Sequence, residues 1–271
     1  MQLQNAKQRF DAHGIKLAAI SYDGPAILKD FADRHKIDYP LLADPQSKII
    51  ASCGVLNPEA KGMQKGMALP GYYYVDPKGV IREEYFEAKY TDRFTANNVM
   101  AKLFPELAEE VSQKVEAPHL NLELGQSDRA VVPGSRFSLA AQVELPPDVH
   151  VYAPGVKGYK PIQLELAPSP EIELTPPVYP PSKVLYLDAI KEQVPVFEGK
   201  FRITSEVKIS AHPDFVKSLG PSGKTITIVG QLHYQACDKT TCYLPTSIPL
   251  TWQLQILPLD RQRSPEAIQH K

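Results

Sequence analysis

Cys237 and Cys242 stand five positions apart within Gln235-Ala236-Cys237-Asp238-Lys239-Thr240-Thr241-Cys242-Tyr243-Leu244-Pro245. Thiols so placed can cycle between dithiol and disulfide, staple a loop, or contribute to a metal site. On a helix, positions i and i+5 point about 140° apart and cannot bridge. On a hairpin with the four-residue loop Asp238–Thr241 they face each other. Opposed Cβ atoms on such a ladder lie ~4.5–5.5 Å apart, whereas a relaxed disulfide wants ~3.8 Å. A bond here is therefore expected to be feasible and strained, and strained, exposed disulfides are the reducible ones. Lys239 inside the loop favours a thiolate, while Asp238 opposes it. The residues favour a redox-active pair. A structural staple is the second reading, although so short a closed loop constrains the unfolded chain little. Zinc would find only two local ligands, because His233 lies ~13 Å along the same strand from Cys237.

Other candidate chemistry is sparse. The seven histidines are dispersed, with no His-x-His or His-Glu-x-x-His pair. Ser222-Gly223-Lys224 does not complete a phosphate loop. Tyr72-Tyr73-Tyr74 reads as strand packing, since no basic groove accompanies it. The third cysteine, Cys53, falls near the C-terminal end of a short helix predicted over 46–53. The helix dipole disfavours a thiolate there, so Cys53 is expected to be a buried small hydrophobe. No metal and no cofactor are expected.

The elements that must position the pair change character along the chain. Residues 2–12 read as a helix stopped by His13-Gly14. Ile15–Ser21 reads as a strand buried on both faces. Asp23-Gly24-Pro25 opens a helix running to about Lys36. Tyr39–Leu42 is extended, and Gly71–Val75 and Val80–Phe86 form a hairpin around Asp76-Pro77-Lys78-Gly79. Phe94–Phe104 closes an α/β pattern as an amphipathic helix. Residues 106–117, rich in glutamate, are expected as a charged helical linker. Most of the 26 prolines lie beyond it, and the period falls to two. Phe137–Val143, Phe201–Ile209 and Ile248–Ile256 alternate apolar with polar residues, with further strand candidates at 119–124, 149–153, 162–167, 171–175 and 224–236. About eight strands between Pro/Gly turns predict an immunoglobulin-like all-β sandwich over 118–258, with Trp252 in its core. Residues 259–271 read as a flexible tail.

The order Phe10…Gly14-Ile15…Ser21-Tyr22-Asp23…Tyr39-Pro40-Leu41-Leu42-Ala43-Asp44…Gly54-Val55, then Leu69-Pro70-Gly71-Tyr72-Tyr73-Tyr74-Val75-Asp76-Pro77-Lys78-Gly79, resembles the alkyl hydroperoxide reductase/thiol-specific antioxidant (peroxiredoxin) family over residues 1–104. The resemblance implies a thioredoxin-like α/β fold over 1–105, with Pro70 as the cis-proline beside a redox centre. That family's reactive cysteine opens its first long helix, after a strand. Met1 already lies inside that helix, so the expectation is an N-terminally truncated domain without its peroxidatic cysteine.

Val151-Tyr152-Ala153-Pro154-Gly155, Tyr179-Pro180-Pro181, Val194–Gly199 and Tyr234-Gln235-Ala236-Cys237…Cys242-Tyr243-Leu244-Pro245 resemble the N-terminal domain of the thiol:disulfide interchange protein DsbD. This resemblance covers 118–257 and implies a redox role for Cys237 and Cys242, one residue closer together than in the best-known members. The resemblance implies that Tyr152, Tyr234 and Tyr243 line the pair, with core packing in their strands as the alternative, and that Tyr186–Ile190 is either a cap over the pair or a surface loop packing on the sandwich edge. The partner implied is a thioredoxin-like redox protein or domain, in cis or in trans; the resemblance suggests the periplasm, while the lack of a visible signal peptide leaves the cytoplasm open. With 30 Lys plus Arg against 31 Asp plus Glu, the basic surplus of a nucleic-acid binder is absent. No apolar run approaches the ~20 residues of a membrane span, and Met1–Asn5 lacks the pattern of a signal peptide. A thiol-disulfide oxidoreductase is the function expected. The alternative is a non-catalytic binding sandwich with a structural disulfide.

Overall fold

The computed structural model describes residues 2–105, 110–187 and 191–269. The chain divides into two compact units: residues up to Leu103 together with those from Leu259 onward, and Phe104–Pro258.

The first unit runs α1 (Gln2–Ala12), β1 (Ala19–Ser21), α2 (Pro25–His35), β2 (Leu41–Ala43), α3 (Lys48–Ser52), β3 (Gly71–Val75), β4 (Ile81–Phe86), β5 (Arg93–Phe94) and α4 (Ala96–Leu103). Local chemistry sets these boundaries. Pro25 takes the first turn of α2, where its missing N–H costs nothing. Asp44 starts α3: its carboxylate accepts from the N–H groups of Lys48, Ile49 and Ile50. Asp76 shapes the β3–β4 turn by accepting from Lys78 N and Val80 N, and Gly79 supplies the positive φ of 79°.

Two expectations for this unit change. β1 is shorter than predicted and, among the described residues, pairs only with β2, in parallel. Ile20 at its middle is 37% exposed, so the strand is not buried on both faces. Residues 259–269 do not form a loose tail. Ser264 Oγ donates to Asp30 at 2.8 Å, and Arg34 pairs with the same carboxylate at 3.0 Å. A 3-10 turn follows at Glu266–Ile268.

The second unit contains β6 (Glu110–Ala117), β7 (Leu120–Gln126), β8 (Ala130–Val131), β9 (Ser135–Glu144), β10 (His150–Tyr152), β11 (Gln163–Leu166), β12 (Ile172–Leu174), β13 (Lys183–Leu187), β14 (Glu192–Glu198), β15 (Lys200–Ile209), β16 (Lys224–Tyr234), β17 (Ala236–Cys237) and β18 (Thr246–Ile256), with α5 (Pro213–Ser218) before β16. Strands β12-β15-β9-β7-β6 lie side by side, as do β11-β16-β18-β8. Their apolar faces share one core, built from Leu122, Leu124, Phe137, Leu139, Ile203, Ile228, Leu254 and others. Trp252 is fully buried at its centre and donates Nε1–H to Gly125 O across the core at 3.0 Å. This is the sandwich read from the period-two stripes. A smaller sheet, β13-β14-β10-β17, carries the cysteine hairpin.

The helical linker is a correction. Residues 106–109 lie outside the described residues, and Glu110–Ala117 is strand β6, antiparallel to β7. Val115 opposes Leu122 and Ala117 opposes Leu120, and both pack on the core. Burying those two side chains with a full ladder outweighs the helix preference of the glutamates.

Replacing Trp252 by Ala should destabilise the second unit by about 3–5 kcal/mol through the cavity and the orphaned Gly125 carbonyl. Replacing exposed Val229 by Ala should change stability by less than about 0.5 kcal/mol. Urea unfolding followed by circular dichroism measures both, and equal effects would contradict this placement of the core.

Candidate functional site

The pair sits where the long β16–β18 ladder ends. β16 and β18 pair from Lys224↔Ile256 to Tyr234↔Thr246. The eleven residues between those last partners, 235–245, form the excursion that carries the cysteines. Ala236 and Cys237 leave β16 to pair with β10, placing His150 opposite Cys237 and Val151 opposite Ala236. The chain then turns through Asp238–Thr241 and returns, with Cys242 bridged antiparallel to Cys237. The two are joined as a disulfide, with Cα atoms 4.0 Å apart. The facing arrangement predicted for a four-residue loop is the one found.

Asp238 organises that loop. Its Oδ1 accepts from Thr240 N (2.7 Å), Thr241 N (2.8 Å) and Thr240 Oγ1 (3.0 Å), and its Oδ2 accepts from Tyr243 O–H (2.9 Å). The backbone closes beneath it through Asp238 N to Thr241 O and Tyr243 N to Ala236 O, both 2.9 Å. Hydrogen bonds from the Thr240 and Thr241 amides and from Tyr243 hold the carboxyl far below the ordinary aspartate range. Tyr243 is braced in turn by His119, whose ring stacks on it at 3.7 Å. Gln235 Nε2 donates to Tyr243 O at 2.8 Å.

The two sulfurs differ in access. Cys237 is 1% exposed, packed with Tyr152, Val194 and Val196, whereas Cys242 is exposed. The Tyr152 hydroxyl lies 3.8 Å from each sulfur. Burial pushes its pKa up, so Tyr152 stays a neutral donor. Tyr159 packs on its ring at 4.3 Å and donates to Glu192 at 2.8 Å, a bond that drives the Tyr159 pKa up to about 12.

The other expected residues divide. Tyr243 touches the loop, but Tyr234 points into the sandwich core and donates to Pro118 O at 2.7 Å, with burial pushing its pKa up to about 12. Lys239 does not aim at the sulfurs. Its Nζ pairs with Asp148 at 2.8 Å, which neutralises the charge expected to favour a thiolate. Tyr186, at the start of the expected cap, is half exposed, and Asp188–Ile190 of that cap lie outside the described residues. Pro70 belongs to the first unit. The bond before it is trans, not cis, and its carbonyl accepts from Glu87 N in continuation of the β3–β4 ladder. Cys53 is exposed, not buried, because α3 ends there at the surface. Among the described residues no group of three or more His, Cys, Asp or Glu is placed to hold a metal, and no helix is long and apolar enough to cross a membrane.

The sequence reading missed His150, Tyr159, His119 and Asp148. His150 was within reach of it, because it stands two residues before Tyr152 on a strand and so shares its face.

Asp238 ionises below its unfolded value, so its support is present above the unfolded-state pKa and is lost as pH falls through the folded one. The Thr240 and Thr241 amide resonances should therefore titrate with a midpoint clearly below that of an unstructured aspartate. In Asp238→Asn that acid transition should vanish. A midpoint near 4 would contradict the carboxylate clamp.

Comparison with known proteins follows the division of the chain. Residues 1–84 match the AhpC/TSA family, and residues 122–249 match the N-terminal domain of the thiol:disulfide interchange protein DsbD. No curated protein matches the chain. Among solved structures, the N-terminal periplasmic domain of ScsB from Proteus mirabilis is 10% identical with a TM-score of 0.33, covering 54% of this chain and 50% of that one. The chain thus spans half the length of that domain. The reduced DsbD N-terminal domain of Neisseria meningitidis is 12% identical with a TM-score of 0.28, covering 44% of this chain and 82% of that one. The protein is therefore similar to two redox-related families in succession, AhpC/TSA at residues 1–84 and the DsbD N-terminal domain at residues 122–249.

Proposed function

We propose that the second unit exchanges electrons with a dithiol protein of the thioredoxin-like class through Cys237 and Cys242. The observation that carries this reading is the asymmetry of the disulfide. Cys242 is exposed to an incoming thiolate, while Cys237 is buried against a neutral tyrosine hydroxyl that lies close to both sulfurs. Disulfide exchange runs through a mixed disulfide, so one sulfur must be reachable and the other must leave as a thiolate. Cys242 fits the first role and Cys237 the second. Tyr152 is a donor to the leaving thiolate, whereas Asp238 and Tyr243 hold the loop. Lys239 acts only through Asp148, Tyr234 supports the strand, and Pro70 takes no part.

For the first unit we propose a thioredoxin-like domain of peroxiredoxin type. The match over 1–84 and the parallel β1–β2 pair flanked by helices support this. Peroxidase chemistry is not assigned to it, because Cys53 follows the carbonyl end of α3, where the dipole opposes a thiolate. The DsbD-type match and the disulfide favour an oxidising compartment, and we assign the periplasm. Exposed Leu244 and Val184 favour a second reading, in which the sandwich only docks a protein and the bridge fixes its loop.

Trapping separates the two. In a Cys53→Ser background, Cys237→Ser activated at Cys242 as the mixed disulfide with thionitrobenzoate should be attacked by a thioredoxin whose resolving cysteine is removed, releasing thionitrobenzoate and forming the protein–protein adduct at least about tenfold faster than Cys242→Ser activated at Cys237 does. No adduct from either variant would sink the exchange reading in favour of the binding module.

A further inference from the structure

His150 occupies the row of the small sheet that contains the pair. Its register partners are Cys237 on β17 and Glu198 on β14. Residues directly opposite on an antiparallel ladder share a face, with Cβ atoms about 4.5–5.5 Å apart. The imidazole and the buried sulfur therefore project from the same face of neighbouring strands. It meets the ring of Tyr152 edge-on at 5.4 Å, and the Tyr152 hydroxyl lies 3.8 Å from both sulfurs. His150 is 5% exposed, and its Nε2 is buried without a hydrogen-bond partner. Orphaned buried nitrogens are rare enough to want a reason. The disulfide form provides none, since a bonded disulfide carries no charge and no proton.

We propose that His150 holds the proton that stabilises the Cys237 thiolate when the disulfide opens. This rests on the exchange reading above and names the group that makes the buried sulfur a competent leaving atom. A partner thiolate attacks Cys242 Sγ, the partner–Cys242 bond forms, and the Cys237–Cys242 bond breaks. Its electron pair stays on Cys237. The proton given up by the partner's thiol is taken up at His150 Nε2, producing an imidazolium beside the thiolate. The partner's second thiol then gives up its proton and attacks the partner sulfur of the mixed disulfide, and Cys242 Sγ leaves with the electron pair and takes up that proton as a solvent-exposed thiol. The partner departs as a disulfide, two electrons reside on the pair, and two protons have moved from the partner's thiols to this site.

The charges around the ring suit that role. Glu198 on β14 and Asp238 beyond β17 both favour the protonated ring, and Glu198 is itself paired with Lys183 on β13 at 3.3 Å. Tyr152 on β10 is neutral, and the Asp148–Lys239 pair at the head of β10 is internally compensated. Against these, burial is the larger influence and keeps the imidazole neutral in the disulfide form. A new anion on Cys237 reverses the balance, because an opposite charge at close range in a buried site favours the charged form.

The direct test is the nitrogen chemical shift of His150 in the full chain, oxidised and then reduced with a phosphine, as a function of pH. The ring is expected to be neutral near pH 7 in the oxidised chain and to titrate at higher pH once reduced. In a Cys53→Ser/Cys242→Ser background, the Cys237 thiolate followed by ultraviolet absorbance should have its apparent pKa raised by His150→Gln, leaving about tenfold less thiolate near neutrality. A ring with the same titration in both redox states overturns the proposal without needing any variant to fold. An unchanged thiolate titration in a folded His150→Gln chain overturns it as well. Phosphine reduces the pair whether or not a thioredoxin does, so failure of the exchange reading would appear as absent trapping and remain distinct from failure here.

Discussion

The site depends on one carboxylate. Four residues separate Cys237 from Cys242, and their side chains face each other through a chain reversal in those four residues, which leaves loop amides without ladder partners. Asp238 takes the Thr240 and Thr241 amides and the Thr240 and Tyr243 hydroxyls. Without it, the loop donors would turn to water and the returning strand would lose the contact that fixes Tyr243. An aspartate beside a cysteine sulfur looks adverse for thiolate formation when read from charge alone. Spending its lone pairs on the loop, the same residue becomes the element that holds the reversal in place.

Around that loop the second unit divides its labour. The sandwich of β12-β15-β9-β7-β6 against β11-β16-β18-β8 supplies the buried area, with Trp252 tying its two faces together. The small β13-β14-β10-β17 sheet carries the disulfide, aligning Tyr152, His150 and Cys237 on one face. One sulfur is turned inward toward this aromatic row and the other outward. Under the exchange reading, that asymmetry decides which sulfur an incoming thiolate attacks and which one leaves.

The sandwich strands were legible because burial on one face writes a period of two: Phe137–Val143, Phe201–Ile209 and Ile248–Ile256 are β9, β15 and β18 in large part. The hairpin of the pair was legible because a separation of five positions points the two side chains apart on a helix and together on a hairpin with a four-residue loop. Strand β6 was not, since a register irregularity between Val111 and Gln113 breaks its alternation just where the glutamates argue for helix. The small sheet was largely hidden too. Pro195 sits inside β14, where a proline argues against a strand, yet its carbonyl accepts from Ala153 N and Val184 lies opposite it. The partners of Lys239 and Tyr234 could not be read either, because Asp148 and Pro118 are distant in sequence and only the fold brings them close. Cys53 was misread for a related reason: whether a helix end is covered depends on what packs on it, and nothing local records that.

The central claim is that the Cys237–Cys242 disulfide is poised for exchange. A glutathione redox titration of the full chain, with free thiols alkylated and counted by mass at each potential, tests it most directly. The two cysteines are expected to titrate together between roughly −150 and −280 mV, within reach of cellular dithiols. A pair that stays bridged below about −300 mV, as structural disulfides do, or that never bridges, would contradict it.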